Sequence, residues 1–352
     1  MVQTPEEIKE SGLVYVTDSM PGIYRKGKPG NFYYEDKNGD KITDETQLGR
    51  IKALVLPPAW TSVWIAAKKN AYLQATGLDA AGRKQYRYHP KWTSRRSEHK
   101  YFRLLEFGKA LPVARKRLAK DLKRKDYDEQ KVLAICVEVM QKTLIRVGNE
   151  SYAQLYGSYG LSTLRTKHAK VDGNTLKLKF IGKKGVKQEV ALNDKSLAKM
   201  VKSCMEIPGQ DLFQYYTEGK EHRGVDSGKI NNYIREITGS DFTAKDFRTW
   251  GGTLEALRQL ALCSGNIEEE RPKKKIIVQV LDCVASKLGN TRAVCKSSYV
   301  YPLLLEAFEN DQLAKYLKKI HTHTPNTQQA IENDEKVLMK FLKEAQKLTK
   351  VA

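Results

Sequence analysis

The sequence has 352 residues, of which 62 are Lys or Arg and 41 are Asp or Glu, so its formal net charge is +21. This length allows two domains with a sizeable core, and an apolar content of 40% excludes a disordered chain. Five dispersed cysteines disfavour a zinc site or disulfide framework, no apolar run reaches the ~20 residues of a membrane span, and no secretory signal is present, so we expect a cytoplasmic protein with no membrane partner.

The first ninety or so residues contain short β-branched and aromatic runs separated by Gly, Pro, Asn and Asp. Strands are predicted at 13–16, 31–34, 62–65 and 85–89. Asn38-Gly39 predicts a hairpin turn between 33–35 and 41–43. The segment 22–28 resembles a phosphate-binding loop, but Pro29 takes the Ser or Thr position, so we interpret it as an ordinary loop with no nucleotide site. We predict a small, mostly β domain over residues 1–95.

Helical spacing of apolar residues dominates after Pro90. Helices are predicted at about 104–122 with an interruption at Pro112, and at about 128–146, 228–238, 243–262, 272–288, 302–319 and 327–348. One hairpin is inserted, with strands at 176–180 and 186–190 and two lysines at its tip. The fold class is therefore α+β, with a larger, mostly α domain over residues 96–352.

The positive charge is concentrated just after the predicted domain boundary. Residues 91–125 hold 13 Lys or Arg against three acidic residues, a net charge of +10. A solvated helix face usually mixes signs, and this one hardly does. We therefore predict that Arg115, Lys116 and Arg117 contact the phosphates of a nucleic acid, whereas the alternative is an ordinary solvated helix.

No metal or nucleotide motif is present, so phosphoryl chemistry would depend on side chains alone. It would require Arg or Lys for the nonbridging oxygens, a proton donor for the leaving oxygen, and a nucleophile such as Ser, Tyr, Cys or His. Composition cannot select these residues, because the chain has 18 tyrosines.

Order and spacing are more specific. The motifs run through Thr143-Leu-Ile-Arg146, Phe180-Ile-Gly-Lys183, Lys245-Asp-Phe-Arg248, Leu288-Gly-Asn290 and Lys296-Ser-Ser-Tyr299. This succession resembles the type IB DNA topoisomerases, in particular the small poxvirus-like and bacterial forms, and the resemblance covers roughly residues 15–310. It implies a C-shaped clamp in which a small β domain and a helical catalytic domain hold duplex DNA.

The resemblance also implies a role for each residue. Tyr299 would be the nucleophile that becomes linked to a 3′-phosphate, Arg146 and Arg248 would bind the nonbridging oxygens, and Lys183 would protonate the departing 5′-oxygen. Asn290 stands where the viral enzymes carry His, so it can donate a hydrogen bond but no positive charge. The implied enzyme is a monomeric type I DNA topoisomerase that relaxes supercoils of both signs without a metal, a nucleotide or another cofactor.

The family's DNA-contacting strand resembles the segment from Gly82 to Tyr88. On this basis Gln85, Tyr86 and Tyr88, together with Tyr152, are predicted to contact DNA, and we expect Gln85 and at least one of these tyrosines to meet the major groove. The alternative is that the aromatic side chains pack in a core.

Each residue also has a simpler interpretation. Arg146 would favour a helix end, Lys183 would be a turn residue, Arg248 would pair with Asp246 or Glu255, Asn290 would cap a helix, and Tyr299 would be core beside Tyr301. Two other functions remain open. A tyrosine recombinase shares this chemistry, but it typically has His three residues before the second Arg, where this chain has Lys245, and a helical N-terminal domain. A non-catalytic architectural protein would explain the charge but not the ordered motifs.

Overall fold

The computed structural model describes residues 5–80, 82–265, 272–320 and 327–349. The chain divides into two compact units, Met1–Tyr101 and Phe102–Ala352. The first has a small antiparallel sheet and the second is mostly helical, so the predicted α+β fold class is confirmed. The roles of 1–95 as a DNA-clamp domain and 96–352 as a catalytic domain stay predictions.

The first unit is built on one five-stranded antiparallel sheet of order β2-β1-β3-β4-β5. Its elements are α1 (Pro5–Glu10), β1 (Gly22–Lys28), β2 (Asn31–Glu35), α2 (Glu45–Ala53), β3 (Thr61–Ala66), β4 (Leu73–Leu78) and β5 (Lys84–Tyr88). Alternate residues of β3 enter two separate cores. Trp64 packs in the core that contains Ile8 of α1, and Ile65 packs in the core that contains Ile51 of α2. Both faces of the sheet are therefore covered.

Several predictions in this unit were wrong. Residues 13–16 form no strand, because only Val14 makes an isolated bridge, to Ala71. The segment 22–28, interpreted as a loop, is the strand β1 between β2 and β3. The predicted turn at Asn38-Gly39 is confirmed, because backbone hydrogen bonds join Asp36 to Asp40 (2.9 Å) and Ile42 to Tyr34 (2.8 Å), although the returning chain makes only an isolated bridge, Glu35 to Lys41. The strand β4 was missed because a strand buried on both faces shows no alternation of apolar and polar residues.

The second unit surrounds the almost fully buried helix α4 (Glu129–Thr143). Its other helices are α3 (Pro90–Leu122, which begins in the first unit), α5 (Glu150–Tyr156), α6 (Lys195–Met205), α7 (Ser227–Thr238), α8 (Ala244–Gly265), α9 (Lys273–Leu288), α10 (Arg292–Ser298), α11 (Pro302–Glu309), α12 (Ala314–Leu317) and α13 (Gln328–Thr349). The predicted hairpin is confirmed as β7 (Thr175–Ile181) and β8 (Lys187–Asn193), and β6 (Ala169–Asp172) extends it. A separate small hairpin joins β9 (Gln214–Tyr216) and β10 (His222–Gly224).

Two predicted helix boundaries differ from the structure. The helix α3 continues through Pro112, whose ring is exposed, so the predicted interruption is wrong. The predicted helix 302–319 is two helices, α11 and α12, separated near Asp311, which has a positive φ of 60°. None of the described helices is both long enough and apolar enough to span a membrane.

Candidate active site

Arg146 lies just beyond the end of α4. Leu144 adopts the left-handed conformation (φ 57°) and ends the helix, so the chain turns before Arg146. The guanidinium then donates one hydrogen bond to the carbonyl oxygen of Gly289 (3.0 Å) and another to the side-chain oxygen of Asn290. Arg146 therefore contacts the C-terminal end of α9 and not the end of its own helix, which was the simpler interpretation.

Arg248 lies on α8 and is only 3% exposed. Its guanidinium donates hydrogen bonds to the carbonyl oxygens of Leu144 and Leu288, the latter at 3.0 Å. The same group lies over the ring of Tyr299, with 4.9 Å between the guanidinium carbon and the ring centroid. Arg248 thus joins the ends of α4 and α9 to the predicted nucleophile, while its buried Nε has no hydrogen-bond partner.

The simpler interpretation of Arg248 as half of a surface ion pair is wrong. Asp246 pairs instead with Arg103, at 2.9 Å between Nε and Oδ1, and Glu255 pairs with Lys287, at 2.6 Å. Within the described residues, no carboxylate pairs with either Arg146 or Arg248.

The guanidinium groups of Arg146 and Arg248 therefore share a partly buried site, in which their hydrogen-bond acceptors are all neutral. Burial lowers the pKa of Arg146, and the nearby charge of Arg248 lowers it further. Burial also lowers the pKa of Arg248, although the neighbouring Tyr299 opposes that effect. Buried charges are normally paired, so this arrangement is suited to an incoming anion such as a phosphodiester.

Asn290 has the simpler of its two roles, as part of the cap of α9, and its predicted catalytic role stays a prediction. Its backbone N–H bonds to the carbonyl oxygen of Ala285 (2.9 Å), next to Gly289 in the left-handed conformation, so it takes part in the cap of α9. Its side-chain oxygen accepts the bond from Arg146, while its buried amide nitrogen Nδ2 has no partner. That nitrogen is a second unused donor in the site.

Tyr299 ends α10 and is half-buried, in contrast to the core residue Tyr301. Its carbonyl oxygen accepts a hydrogen bond from the Thr253 hydroxyl (3.2 Å). A Cβ on Gly252 would lie 2.9 Å from that carbonyl oxygen, and one on Gly251 would lie 2.5 Å from Leu144 Cδ2. The two glycines thus let α8 approach both Tyr299 and the chain that leads to Arg146.

Lys183 lies at the exposed tip of the hairpin, within a short turn where Lys184 has a positive φ of 64°. Among the described residues it makes no hydrogen bond or ion pair. The hairpin is nevertheless next to the site, because a Cβ on Gly289 would lie 2.4 Å from Nε2 of Gln188 on β8. Arg146, Arg248, Asn290 and Tyr299 are therefore brought together, and Lys183 belongs to a neighbouring element.

The predicted DNA-contacting strand is β5, an edge strand of the first unit. Gln85 is half-buried and donates to the Asp79 carboxylate (2.9 Å), Tyr86 is 50% exposed, and Tyr88 packs against Tyr72 of the core. Tyr86 and Tyr88 stack at 6.0 Å between ring centroids. Tyr86 is the most accessible of the three predicted contacts.

The basic cluster of α3 differs from the expectation. Arg115 donates to both oxygens of Glu335, and Arg117 pairs with Asp121 and Glu236. These ion pairs disfavour the predicted phosphate contacts of both arginines, because their charges already have carboxylate partners. Lys116 is exposed, with no ion pair among the described residues, so its predicted role is unaffected.

Tyr152 is on the short helix α5, is 38% exposed, and has its ring 5.8 Å from that of Tyr156. Its predicted DNA contact stays a prediction.

Sequence reasoning missed the residues that hold the site together. These are Leu144, Gln188, Gly251, Gly252 and Thr253. The adjacent glycines inside a helical pattern were the available signal, because such a pair indicates close backbone approach. The other residues act through long-range contacts that leave no local pattern.

Comparisons with known proteins identify the family of the chain. The family described as "Eukaryotic DNA topoisomerase I, catalytic core" matches residues 89–333, and "Bacterial DNA topoisomerase IB, N-terminal domain" matches residues 31–79. The DNA topoisomerase 1B of Acanthamoeba polyphaga mimivirus is 35% identical over 83% of this chain and 89% of its own length. The DNA topoisomerase 1B of Vaccinia virus (strain Copenhagen) is 22% identical over 69% of this chain and 74% of its own. The chain therefore belongs to the type IB DNA topoisomerases, which are isomerases.

Proposed function

We propose that this protein relaxes supercoiled duplex DNA by cutting and resealing one strand through a bond to Tyr299. The observation that supports this most is the pair of arginines, the half-buried Arg146 and the buried Arg248, which have no carboxylate partner among the described residues. The guanidinium carbon of Arg248 lies 4.9 Å from the centre of the tyrosine ring. The names of the relatives, all DNA topoisomerases, support DNA as the substrate.

The chemical step is a transesterification. The phenol of Tyr299 gives up its proton to solvent as its oxygen attacks a backbone phosphorus. A new O–P bond forms, and the bond from phosphorus to the 5′-oxygen breaks. The phosphate stays on the 3′ end, linked to Tyr299, and the departing oxygen takes a proton to become a 5′-hydroxyl. Reversal of the step reseals the strand after rotation, so supercoils of both signs relax.

The surrounding side chains have distinct roles in this proposal. Arg146, Arg248 and the amide of Asn290 donate to the nonbridging oxygens, on which negative charge grows in the transition state. The unpartnered Nε of Arg248 and Nδ2 of Asn290 are the donors available for them. Lys183 supplies the proton to the 5′-oxygen, and an exposed hairpin tip leaves its ammonium group free to reach DNA.

The proposed reaction needs no ATP, because the phosphotyrosyl ester replaces the phosphodiester that was cut. It also needs no metal ion, because the arginines supply the positive charge. We further propose that a single copy of the chain acts on duplex DNA, consistent with the net charge of +21. The two-domain clamp and a cytoplasmic location remain predictions.

Plasmid relaxation tests the proposal. Supercoiled plasmid is incubated with the protein in chelator without ATP, and topoisomers are separated on a gel. We expect relaxation by the natural sequence and none by Tyr299→Phe, which should still bind DNA. A strict need for ATP or Mg²⁺, or normal relaxation by the Phe variant, would contradict the proposal.

A further inference from the structure

Glu335 of the C-terminal helix α13 connects three helices of the second unit. Its carboxylate accepts hydrogen bonds from Arg115 on α3, at 2.6 and 2.8 Å, and from the indole N–H of Trp250 on α8, at 2.8 Å. Glu335 is only 8% exposed. A buried carboxylate with several fixed donors holds its partners in one geometry, because loss of any bond leaves a desolvated charge.

Trp250 is close to the catalytic part of α8. It lies two residues after Arg248 and directly before Gly251, the glycine that lies against Leu144. Leu144 in turn accepts a hydrogen bond from Arg248. A shift of Trp250 would therefore move the helix segment that carries Arg248 and its contact with the chain before Arg146.

The same helix also contacts the segment after the nucleophile. The ring of Phe341 on α13 lies 6.1 Å from the ring of Tyr301, which is two residues after Tyr299. A second aromatic residue, Tyr316 of α12, contacts Phe341 from 5.3 Å. The helix α13 therefore contacts positions two residues beyond both Arg248 and Tyr299.

We propose that Glu335 is a positioning residue for the transesterification, through its hydrogen bond to Trp250, and that α13 fixes the relative placement of Arg248 and Tyr299. This inference rests on the proposed roles of those two residues. Glu335 lies just beyond the family match, which ends at residue 333.

The test compares the rate of covalent adduct formation with excess protein over plasmid DNA, quenched in denaturant. We expect Glu335→Ala and Trp250→Phe each to slow the adduct roughly 10- to 100-fold while DNA affinity is unchanged, because small misplacements of catalytic groups have effects of this size. Glu335→Gln keeps an acceptor oxygen for Trp250 and should remain within about threefold of the natural rate.

The double variant Glu335→Ala/Trp250→Phe tests whether the two residues act through their mutual hydrogen bond or slow the reaction independently. If the two residues act through their mutual bond, the double variant should be no slower than the slower single variant. A reduction in rate equal to the product of the two single-variant reductions would contradict the proposal.

Ile276→Ala is the control for simple destabilisation. Ile276 is buried near the start of α9, about 18 Å along that helix from Leu288. The Ile276→Ala variant should have a lower Tm but should form the adduct at the natural rate at a temperature below its unfolding transition. Equal slowing by Ile276→Ala and Glu335→Ala, at matched loss of Tm, would overturn the inference.

Trp250→Phe and Glu335→Gln keep the test decisive if Glu335→Ala does not fold. The result also separates the two proposals. Adduct formation by Tyr299→Phe would overturn the proposed function, whereas an inactive Tyr299→Phe with normal rates for Glu335→Ala and Trp250→Phe would overturn only the role of Glu335.

Discussion

The guanidinium carbon of Arg248 lies 4.9 Å from the centre of the Tyr299 ring, while its nitrogens bond to the carbonyl oxygens that end two other helices. The catalytic role proposed for Arg248 is thus combined with a structural one. We expect Arg248→Ala to reduce the rate of adduct formation about 10²- to 10³-fold, the usual effect of losing one transition-state donor. Its removal should also lower the free energy of unfolding by about 1–3 kcal/mol, because two buried carbonyls lose a donor.

Single-turnover kinetics and urea denaturation of the same preparations measure both effects. Tyr299→Phe is the matched control, because it removes the reaction but leaves the hydrogen bonds of Arg248 to the carbonyl oxygens of Leu144 and Leu288. An Arg248→Ala variant with a normal rate would exclude its contact with the phosphate.

Substitutions of Asn290 test whether the site binds an anion, because they change the charge next to Arg146. Asn290→Ala removes a hydrogen-bond acceptor from Arg146 and a free amide donor, so we expect the adduct rate to fall roughly tenfold. Asn290→Asp keeps the size but puts a carboxylate against Arg146, which would then compete with the DNA phosphate for the guanidinium. The Asp variant should therefore be slower than the Ala variant, and the opposite order would argue against an anion-binding role for Arg146.

Lys183 can be tested through the leaving group. At a mapped cleavage site, we expect Lys183→Ala to slow cleavage of ordinary DNA by roughly 10²- to 10⁴-fold, the range for loss of a general acid. Replacement of the 5′-oxygen by sulfur makes a leaving group that needs no proton, so the variant and natural proteins should then cleave at similar rates. Lys184→Ala is the neighbouring control. An equal deficit on both substrates would show that Lys183 is not the proton donor.

Two helical glycines, Gly252 on α8 and Gly49 on α2, predict opposite effects for the same substitution to Ala. Gly252→Ala would place a Cβ 2.9 Å from the carbonyl oxygen of Tyr299, so we expect lower activity and lower stability. Gly49→Ala on α2 meets no atom within 4 Å and should stabilise the protein by about 0.5–1 kcal/mol, because Ala favours helix more than Gly does. Relaxation assays and thermal melts distinguish the two, and a neutral Gly252→Ala would contradict the close approach.

Asp194 predicts a pH dependence of stability. Burial alone would raise its pKa, but the N–H of Leu197 and the ammonium of Lys142, 2.6 Å away, lower the pKa below its ordinary value of 3.8. A carboxyl with a lowered folded-state pKa stabilises the fold above its unfolded-state pKa and loses that effect as the pH falls through the folded-state value.

Asp194→Asn should therefore lower the free energy of unfolding by about 0.5–1 kcal/mol at pH 7, and the difference should shrink below about pH 4. Asp172→Asn is the control, because Asp172 forms an exposed ion pair with Lys177 at 3.5 Å. This variant should change the free energy of unfolding little at either pH. Urea denaturation at the two pH values measures this. If Asp194→Asn lowers the free energy of unfolding equally at both pH values, the charge of Asp194 is excluded as the cause.

The sequence predicted the site better than it predicted the N-terminal sheet. Arg146, Arg248, Asn290 and Tyr299 were found because their order and spacing resemble a family, and the structure brings all four together. The strands β1 and β4 were missed, because the Gly- and Lys-rich β1 resembles a loop and β4 is buried on both faces. Arg115 and Arg117 were selected by charge alone. The partner of Arg115, Glu335, is distant in sequence, whereas Arg117 pairs with the distant Glu236 and with Asp121, four residues away.

The attachment site of DNA tests the central claim most directly. Plasmid relaxation is stopped with denaturant, the covalent complex is digested with protease and nuclease, and the modified peptide is sequenced by mass spectrometry. We predict a nucleotide attached through its 3′-phosphate to Tyr299. Attachment to another residue, or through a 5′-phosphate, would contradict the proposed mechanism.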